Sequence, residues 1–390
     1  MSRNRLAEAR RVVVKVGSQV LTGPDGRLDR RVFEMLADDI AAARRRGVEV
    51  VLVSSGAVAA GMGRLGLERR PDTIPEVQAL AAVGQIHLVG LYEEVFRPHG
   101  IPVGQVLLTR DDLDSRRRYQ NAKTALLALL RLGAVPVINE NDTVVVEELK
   151  FGDNDNLSAL VTNLVEADAL VILSDIEGLF DRDPKVHPDA RLVERVDRVD
   201  ETVERFVGRS RSRVGTGGMA TKLVAAQRAT HGGAAVAIAS GKAPHALRRI
   251  LAGEPLGTFF APQADRLRRR KHWIAYTVQP VGRIRVDAGA VRALVEGGKS
   301  LLPKGVVGVE GPFERGDAVV VEGPDGEEVA RGLVAYSAEE VREIAGLASW
   351  EIADRLGYTF GDEVIHRDDL VVFREPAFGA GAPAGSEKRE

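Results

Sequence analysis

Cysteine is absent from the 390 residues of this chain. Its absence excludes disulfide bonds, thiolate metal sites and a cysteine nucleophile, and it fits a reducing compartment. Long hydrophobic runs are missing too, because no window approaches the roughly 18 consecutive apolar residues of a membrane helix. Lys15 interrupts the first apolar run, so no signal-peptide core is present. These absences predict a cytoplasmic protein with no membrane partner.

An excess of charge of either sign is also lacking. The chain has 54 Lys and Arg residues and 56 Asp and Glu residues, which leaves a formal net charge of -2. Such a balance gives no general attraction to nucleic acid or to a membrane surface. The seven histidines lie outside the polar clusters described below, and neither G-x-S-x-G nor H-E-x-x-H occurs. A serine hydrolase and a zinc enzyme are therefore disfavoured, and no residue is assigned as a metal ligand.

Up to about residue 260, short β-branched runs alternate with helix-like segments. Near-continuous apolar strands separated by helices predict an α/β fold with a doubly wound, mainly parallel sheet. The predicted strands are 11–16, 49–53, 102–108, 135–138, 169–173 and 234–239. The predicted helices are 31–46, 75–96, 120–132, 156–166 and 219–231. Ligands of such a sheet are expected beyond the carboxyl ends of its strands.

The composition changes after residue 260. Residues 261–276 contain a proline and a run of basic residues, and we interpret them as a linker between domains 8–260 and 277–372. The second domain is predicted to be a smaller β-rich barrel with strands at 282–286, 305–311, 316–326, 328–336 and 370–373 and one helix at 337–355. Residues 373–390 have no periodicity and are predicted to be a disordered tail.

The most informative stretch is 135–160, where an apolar strand ends in a crowd of amides and carboxylates. Asn139, Glu140, Asn141 and Asp142 follow the strand, and a second polar cluster at 152–156 opens the next helix. A solvated turn that caps this helix is the simpler alternative. Two such clusters about ten residues apart exceed what capping needs, so we predict that they face a charged ligand.

Two lysines and a glycine-rich loop indicate a phosphate site. Lys15 lies inside a predicted strand that ends in Gly17-Ser18, and Lys222 follows the loop 215–218 at the start of a helix. Ser54-Ser55-Gly56 offers hydroxyls and amides after another strand. A snorkelling lysine, a flexible loop and a simple N-cap are the respective alternatives. Phosphoryl transfer needs mainly positioning and charge neutralisation, and an ionised carboxylate acceptor needs no general base.

A resemblance to a known family follows from motifs that occur in order along the chain. They are VVVKVGSQVLTG, VLVSSGAVAAGMGRLG, LLTRDDL, VPVINENDTVVVEELKFGDNDNLSALV, LSDIEGLFDRDP, VGTGGMATKLVAA, SLLPKGV and HRDDL. From about residue 10 to about residue 372, the chain resembles the glutamate 5-kinases. The resemblance implies an amino acid kinase domain followed by a PUA domain. It also implies transfer of phosphate from ATP, with Mg²⁺, to the γ-carboxylate of L-glutamate in the first step of proline biosynthesis.

The same resemblance implies roles for individual residues. Lys15 corresponds to the lysine that contacts the transferring phosphoryl group, and Lys222 to the one that steadies the ATP phosphates. The implied glutamate-binding residues are Ser55, Gly56, Asp142 and Asn154. The implied nucleotide-binding residues are Lys15, Ser174, Asp175, Thr216, Gly217, Gly218, Met219, Ala220, Thr221 and Lys222. The roles of Asp153 and Asp155 stay open. Feedback inhibition by proline and a homodimer or homotetramer are also implied.

Three other interpretations stay open. One is another kinase of the same fold that acts on a different acceptor. A second is an RNA-binding PUA protein, which the charge disfavours because residues 277–372 contain 10 Lys and Arg but 18 Asp and Glu residues. A third is an amino-acid sensor without chemistry, which would have little need for two phosphate-facing lysines.

Overall fold

The structure, a computed structural model, describes residues 3–144, 154–184, 186–206, 218–263 and 280–373. The chain divides into two compact units, Met1–Asp265 and Arg266–Glu390. The first unit holds the polar clusters that the sequence singles out. The second unit has a sheet of its own.

An eight-stranded sheet organises the first unit. Its strands are β1 (Arg11–Val16), β2 (Glu49–Ser54), β3 (Val103–Leu108), β4 (Val135–Glu140), β5 (Ala169–Ser174), β6 (Arg195–Val196), β7 (Ala235–Ser240) and β8 (Thr258–Phe260). Their order is β3-β4-β2-β1-β5-β7-β8-β6, and all neighbouring strands are parallel except β7 and β8. The predicted α/β fold with a mainly parallel sheet is confirmed. The sequence prediction missed the two short strands β6 and β8.

The helices of the first unit lie between these strands. They are α1 (Asn4–Ala7), α2 (Ser18–Leu21), α3 (Arg30–Arg45), α4 (Ala57–Leu65), α5 (Ile74–Phe96), α6 (Arg110–Asp114), α7 (Arg116–Arg131), α8 (Asn154–Leu164), α9 (Glu201–Phe206), α10 (Met219–His231) and α11 (Ala246–Leu251). All five predicted helices are present. Local signals fix several ends; the side chain of Asp29, for example, accepts a hydrogen bond from the Arg31 N–H at the start of α3.

The two faces of the sheet carry separate hydrophobic cores. Val12, Val14 and Val16 of β1 belong to the core on one face, and Val13 belongs to the core on the other. Because side chains alternate along a strand, Lys15 points to the same face as Val13. Lys15 thus leaves the sheet on the side where α8 and α10 pack.

Helices α4 and α5 pack in unusually close contact. A Cβ atom added to Gly84 of α5 would lie 1.7 Å from the backbone oxygen of Ala57, and one added to Gly61 of α4 would lie 2.1 Å from that of Leu80. Only glycine permits this approach of two backbones. Since α4 begins directly after Ser55-Gly56, the contact also fixes the end of β2 relative to α5.

Helix α5 is a core helix of the first unit. Within the described residues, Ile74–His99 is one helix that is long and apolar enough to cross a membrane by length and composition alone. A buried helix of a globular protein meets the same criteria. Leu88, Tyr92 and Phe96 of α5 are buried in the hydrophobic core, and Tyr92 hydrogen bonds Ser54 of β2 at 2.8 Å.

The second unit contains a five-stranded mixed sheet of order β10-β9-β11-β12-β13. Its strands are β9 (Gly282–Val286), β10 (Val306–Glu310), β11 (Ala318–Glu322), β12 (Glu328–Leu333) and β13 (Leu370–Val372). Its helices are α12 (Ala288–Val295), α13 (Ala338–Ile344) and α14 (Ile352–Leu356).

The prediction of one helix at 337–355 is wrong. A capping box between Ser337 and Glu340 starts α13 as the sequence suggests. The helix ends at Ile344 because Ala345 is not helical and Gly346 takes a left-handed conformation with φ of 80°. A 3₁₀ turn, Ser349–Glu351, then leads into α14. Helix α12 was also missed.

Candidate functional site

A cavity of about 650 Å³ lies at the carboxyl ends of the central strands of the first unit. Its lining includes residues that follow four strands by one or two positions, namely Gly17 after β1, Ser55 after β2, Asp142 after β4 and Asp175 after β5. This is the position where doubly wound sheets bind ligands, and the volume suits a small molecule. The cavity also receives Asn154 from α8 and Lys222 from α10. Elements far apart in sequence thus converge on one site.

Two lysines that line this cavity meet one carboxylate behind its wall. Lys15 Nζ lies 2.6 Å from Asp155 Oδ1, and Lys222 Nζ lies 3.1 Å from Asp155 Oδ2. The Thr221 hydroxyl donates to Asp155 Oδ2 at 2.7 Å. All three charged residues are buried, with at most 5% of their surface exposed. The carboxylate therefore holds two ammonium groups at a fixed spacing.

In the described ranges of the chain, the cluster pairs two cations, Lys15 and Lys222, with one anion, Asp155. Burial acts to raise the pKa of Asp155, but the charges of Lys15 and Lys222 and the hydrogen bonds from Lys15 and Thr221 outweigh it. The pKa of this carboxyl therefore lies below its usual value, and Asp155 is ionised at neutral pH. A buried positive charge at the edge of a cavity attracts an anion such as phosphate.

A second part of the cavity is built from amides and a hydroxyl. Asn154 Nδ2 donates to Ser55 Oγ at 2.9 Å and to Asn139 Oδ1 at 3.0 Å, and Asn139 Nδ2 donates to Gln85 Oε1 at 2.8 Å. Asn154 Oδ1 is buried and has no hydrogen-bond partner in the described part of the chain. The amide nitrogen of Asn154 is thus already engaged, and the group turned to the cavity beside it is the hydroxyl of Ser55.

Gly56 gives the chain its turn from β2 into α4. Its φ of 107° lies in the left-handed region that favours glycine. The turn brings the first residues of α4, Ala57 to Ala59, to the wall of the cavity. The amino-terminal end of a helix of this length favours a negatively charged group.

Asp142 and Arg70 place opposite charges in the lining of the same cavity. Burial raises the pKa of the Asp142 carboxyl to about 6, while the positive charge of Arg70 acts to lower it. An ionised Asp142 suits a ligand ammonium group, and Arg70 suits a ligand carboxylate. The sequence prediction included Asp142 but missed Arg70, which lies in a charged loop after α4 with no motif to mark it.

The predicted nucleotide-binding residues divide into three groups. Ser174, Asp175, Gly218, Met219 and Lys222 line the cavity, whereas Ala220 and Thr221 are absent from its lining. Ser174 Oγ donates to Asp175 Oδ1 at 3.0 Å. Thr216 and Gly217 lie outside the described residues, as does Asp153.

Several lining residues received no role from the sequence alone. Phe180, Arg182 and Asp183 line the cavity and belong to the motif LSDIEGLFDRDP, which offered a signal without assigning individual roles. Asn139 was noticed as part of a polar cluster, but its contact with Asn154 depends on tertiary structure. The position of Asp155 between two lysines was likewise not predicted.

Comparisons with known proteins identify the family of the chain. The chain matches the amino acid kinase family over residues 10–240 and the PUA domain over residues 282–356. Glutamate 5-kinases from Trichlorobacter lovleyi and Pelobacter propionicus are each 54% identical to it over 372 residues, which cover 95% of this chain and 99% and 100% of those proteins. The glutamate 5-kinase of Burkholderia cenocepacia is 51% identical over 370 residues, which cover 95% of this chain and 100% of that protein.

Among solved structures, a UMP kinase from Bacillus anthracis covers 66% of this chain and 97% of its own at 17% identity, with a TM-score of 0.44, a likeness too low to inform the site. The sequence relatives carry the assignment, because their identity is high over nearly the whole of both chains. The family resemblance that the motifs indicated is confirmed. The chain, which also contains a PUA domain, belongs to the amino acid kinase family and, within it, to the glutamate 5-kinase family.

Proposed function

We propose that this chain transfers the γ-phosphoryl group of ATP to the γ-carboxylate of L-glutamate, giving L-glutamyl 5-phosphate and ADP, the first step of proline biosynthesis. One observation carries the chemistry: two buried lysines, held by Asp155, border the same cavity as Ser55, Asp142 and Asn154. This arrangement offers a phosphate site and an amino-acid site side by side. The relatives named above support the choice of glutamate.

The lysine cluster fits phosphoryl transfer. A γ-carboxylate oxygen of glutamate forms a bond to the γ-phosphorus of ATP, and the bond from that phosphorus to the β–γ bridging oxygen breaks. The electron pair goes to ADP, and no proton moves because the acceptor is already ionised at neutral pH. Lys15 and Lys222 would stabilise the negative charge of the transferring group, with Asp155 fixing both ammonium groups in advance.

The amino-acid end of the cavity fits an α-amino acid. In this proposal the Asp142 carboxylate pairs with the α-ammonium group, while the Ser55 hydroxyl and the first N–H groups of α4 receive carboxylate oxygens. Asn154 acts through its hydrogen bond to Ser55. Ser174, Asp175, Gly218 and Met219 border the ATP end.

Mg²⁺ fits this site as an ion that arrives on the phosphates of ATP. Among the residues that the structure describes, no three His, Cys, Asp or Glu side chains converge on one point. Mg²⁺ commonly keeps several waters and takes one or two carboxylates plus substrate phosphates as ligands. The ion would neutralise phosphate charge alongside Lys15 and Lys222, and Asp175 at the cavity wall offers the kind of carboxylate that could hold it.

The test is an acceptor panel with the purified full chain. Hydroxylamine traps an acyl phosphate as a hydroxamate, so product formation can be compared for L-glutamate, L-aspartate, N-acetyl-L-glutamate and carbamate. We expect ATP-dependent hydroxamate with L-glutamate and little with the others. Turnover that prefers another acceptor, or ATP hydrolysis independent of any acceptor, would contradict the proposal.

We also propose that proline inhibits the chain by occupying the amino-acid end of the cavity. Proline shares with glutamate the α-carboxylate and a cationic nitrogen, the groups that Arg70 and Asp142 suit by charge. Inhibition competitive with glutamate is expected in initial-rate assays, and its absence would contradict this proposal.

For assembly, we propose a homodimer or homotetramer formed through the first unit. Ile86 on the outer face of α5 has 80% of its surface exposed, and the neighbouring Val83 has 36% exposed. Exposed apolar side chains on a helix whose other face is buried in the core support a contact between copies. Sedimentation velocity tests this proposal, and a monomer at micromolar concentration would contradict it.

A further inference from the structure

A series of three buried side-chain amides connects helix α5 to the cavity. Gln85 on α5 accepts from Asn139, and Asn139 accepts from Asn154, which also donates to Ser55. Gln85, Asn139 and Asn154 each have at most 8% of their surface exposed. Asn139, Asn154 and Ser55 line the cavity, but Gln85 does not. Gln85 therefore reaches the site only through the other two amides.

The series of amides has a direction, because each amide has a donor end and an acceptor end. The carbonyl oxygen of Ser54 lies 3.4 Å from Asn154 Nδ2. A carbonyl oxygen only accepts, so Asn154 presents its nitrogen on this side. Asn139 must then present its oxygen to Asn154 and its nitrogen to Gln85. The reverse direction would place Asn154 Oδ1 against the Ser54 oxygen.

This direction determines what the Ser55 hydroxyl can do. Asn154 Nδ2 donates to Asn139 Oδ1 and to Ser55 Oγ, with the Ser54 oxygen as a longer third acceptor, and because an amide nitrogen does not accept, Ser55 Oγ is the acceptor on that side. The hydroxyl proton of Ser55 is then available, and the described part of the chain provides no acceptor for it. Because Ser55 lines the cavity, it presents a donor to the ligand. A carboxylate, which only accepts, is the matching ligand group.

We propose that Gln85 is a positioning residue that, by accepting the Asn139 amide proton, helps to hold Asn139 and Asn154 in the orientation that turns the Ser55 hydroxyl proton toward a carboxylate of the amino-acid substrate. The identity of that substrate rests on the proposed function. In the opposite amide orientation, Ser55 would donate to Asn154 and turn lone pairs toward an anion. The Ser54 carbonyl and Gln85 thus hold the series in this direction from its two ends, and Gln85 does so without touching the ligand.

The amide series and the lysine cluster serve different ligands. The hydrogen bonds of the series end at Ser55, whereas Lys15 and Lys222 contact Asp155. A change at Gln85 is therefore expected to alter recognition of glutamate and to leave recognition of ATP intact. A general loss of structure in the first unit would alter both.

The first test compares substitutions of Gln85 in the full chain. Gln85→Leu removes the acceptor at similar volume, and we expect the KM for glutamate to rise about tenfold, in line with loss of a hydrogen bond to a charged group. The KM for ATP and kcat are expected to stay within about twofold. Gln85→Glu keeps an acceptor oxygen, protonated or ionised, and is expected to restore the KM for glutamate to within about threefold. His87→Ala, at an exposed position of the same helix, is the control.

A double-mutant cycle with Ser55→Ala makes the test specific. Because Gln85 acts through Ser55, Gln85→Leu is expected to add nothing to the KM for glutamate in the Ser55→Ala background. The inference would be overturned if Gln85→Leu raised the KM for glutamate about tenfold in the Ser55→Ala background too. It would also be overturned if Gln85→Leu alone raised the KM for ATP as much as the KM for glutamate. If Gln85→Leu does not fold, Gln85→Met removes the same acceptor with a more adaptable side chain. Loss of glutamate turnover in the unsubstituted chain would instead refute the proposed function.

Discussion

At the scale of single residues, the proposed function makes Asp142 a link between the pH of the solution and the recognition of glutamate. Its carboxyl has a pKa of about 6 because burial disfavours the charged form, and Arg70 partly opposes that effect. Pairing with the substrate ammonium requires ionised Asp142. In the proposed function, a proton on Asp142 therefore competes with glutamate.

We predict that kcat/KM for glutamate falls about tenfold per pH unit below pH 6, because this parameter reports ionisation in the free enzyme. Arg70→Ala removes the opposing positive charge, so the acid limb is expected to move to higher pH. Arg69→Ala alters a residue outside the cavity lining and should leave the acid limb of the pH profile unchanged. The pH dependence of initial rates measures both effects. A shift to lower pH in Arg70→Ala would refute this assignment.

The contribution of Asp142 to the free energy of unfolding should fall as pH rises, which is the opposite of the trend predicted for kcat/KM. The folded-state pKa of Asp142 lies above the unfolded value of about 3.9, so the folded chain holds an extra proton between these values. This group stabilises the fold at low pH and loses that contribution as pH rises through about 6. Asp142→Asn, the control for the kinetic prediction, should therefore bind glutamate weakly yet unfold at a temperature no lower than the unsubstituted chain above pH 6.

Lys222 provides a second prediction at this scale. Lys222→Met removes one of the two cations beside Asp155, and we expect kcat to fall by about 10²–10³ because charge on the transferring group loses a fixed partner. Asp155 keeps Lys15 as a partner, so the free energy of unfolding should fall by less than the roughly 3–5 kcal/mol that an uncompensated buried charge costs. Lys242→Met, at an exposed position, is the matched control. Rapid-quench kinetics and thermal denaturation measure the two effects, and an unchanged kcat would remove Lys222 from the chemistry.

At the scale of secondary-structure elements, the contact between α4 and α5 fixes the loop that carries Ser55. Gly84 of α5 lies against the backbone of Ala57, two residues beyond Ser55. The amide series begins one residue further along α5, at Gln85. Packing of two helices and orientation of a hydroxyl therefore depend on the same part of α5.

We predict opposite effects for two alanine substitutions in this helix. Gly84→Ala places a Cβ 1.7 Å from the Ala57 oxygen, so α4 must move, at a cost of about 1–3 kcal/mol in unfolding free energy. It should also raise the KM for glutamate. A Cβ at Gly90 meets no atom within 4 Å, so Gly90→Ala should stabilise the chain by about 1 kcal/mol through helix propensity. Chemical denaturation distinguishes them; equal effects would show that the helices are not in this contact.

Six of the eight strands and the five longest helices of the first unit were predictable because their signals are local, whereas the described helices of nine residues or fewer were missed. The apolar run of β1 and the turn at Gly17 mark a strand end, and the period of α10 is visible from Met219 to His231. The short strands β6 and β8 were missed because two or three residues carry no periodic signal. The break at Gly346 was missed because a helical pattern resumes a few residues later.

The site was predictable only in part, for a similar reason. Lys15, Lys222 and Asp142 are conspicuous because a sheet disfavours charge near its strands. The sequence does not reveal which side chains the lysines contact. Their partner Asp155 lies 140 residues from Lys15 and 67 residues from Lys222 along the chain. Gln85 looks like any polar residue of a helix until its partner Asn139 is located.

At the scale of the whole molecule, the second unit adds a PUA domain to a kinase domain. Residues 277–372 contain 18 acidic and 10 basic residues, a balance that opposes binding to a phosphate backbone. We predict no salt-sensitive RNA affinity for the full chain. Filter binding to structured RNA at 50 and 200 mM salt measures it, and micromolar affinity that weakens steeply with salt would be evidence for an RNA partner.

The central claim is that one cavity holds glutamate and the γ-phosphate of ATP on two sides of a fixed lysine pair. A crystal structure with L-glutamate and a nonreactive ATP analogue tests it most directly. We predict the γ-phosphate within reach of Lys15 Nζ and Lys222 Nζ, and the amino acid between Ser55 and Asp142 with its γ-carboxylate facing that phosphate. Glutamate or the nucleotide bound away from these residues would contradict the account.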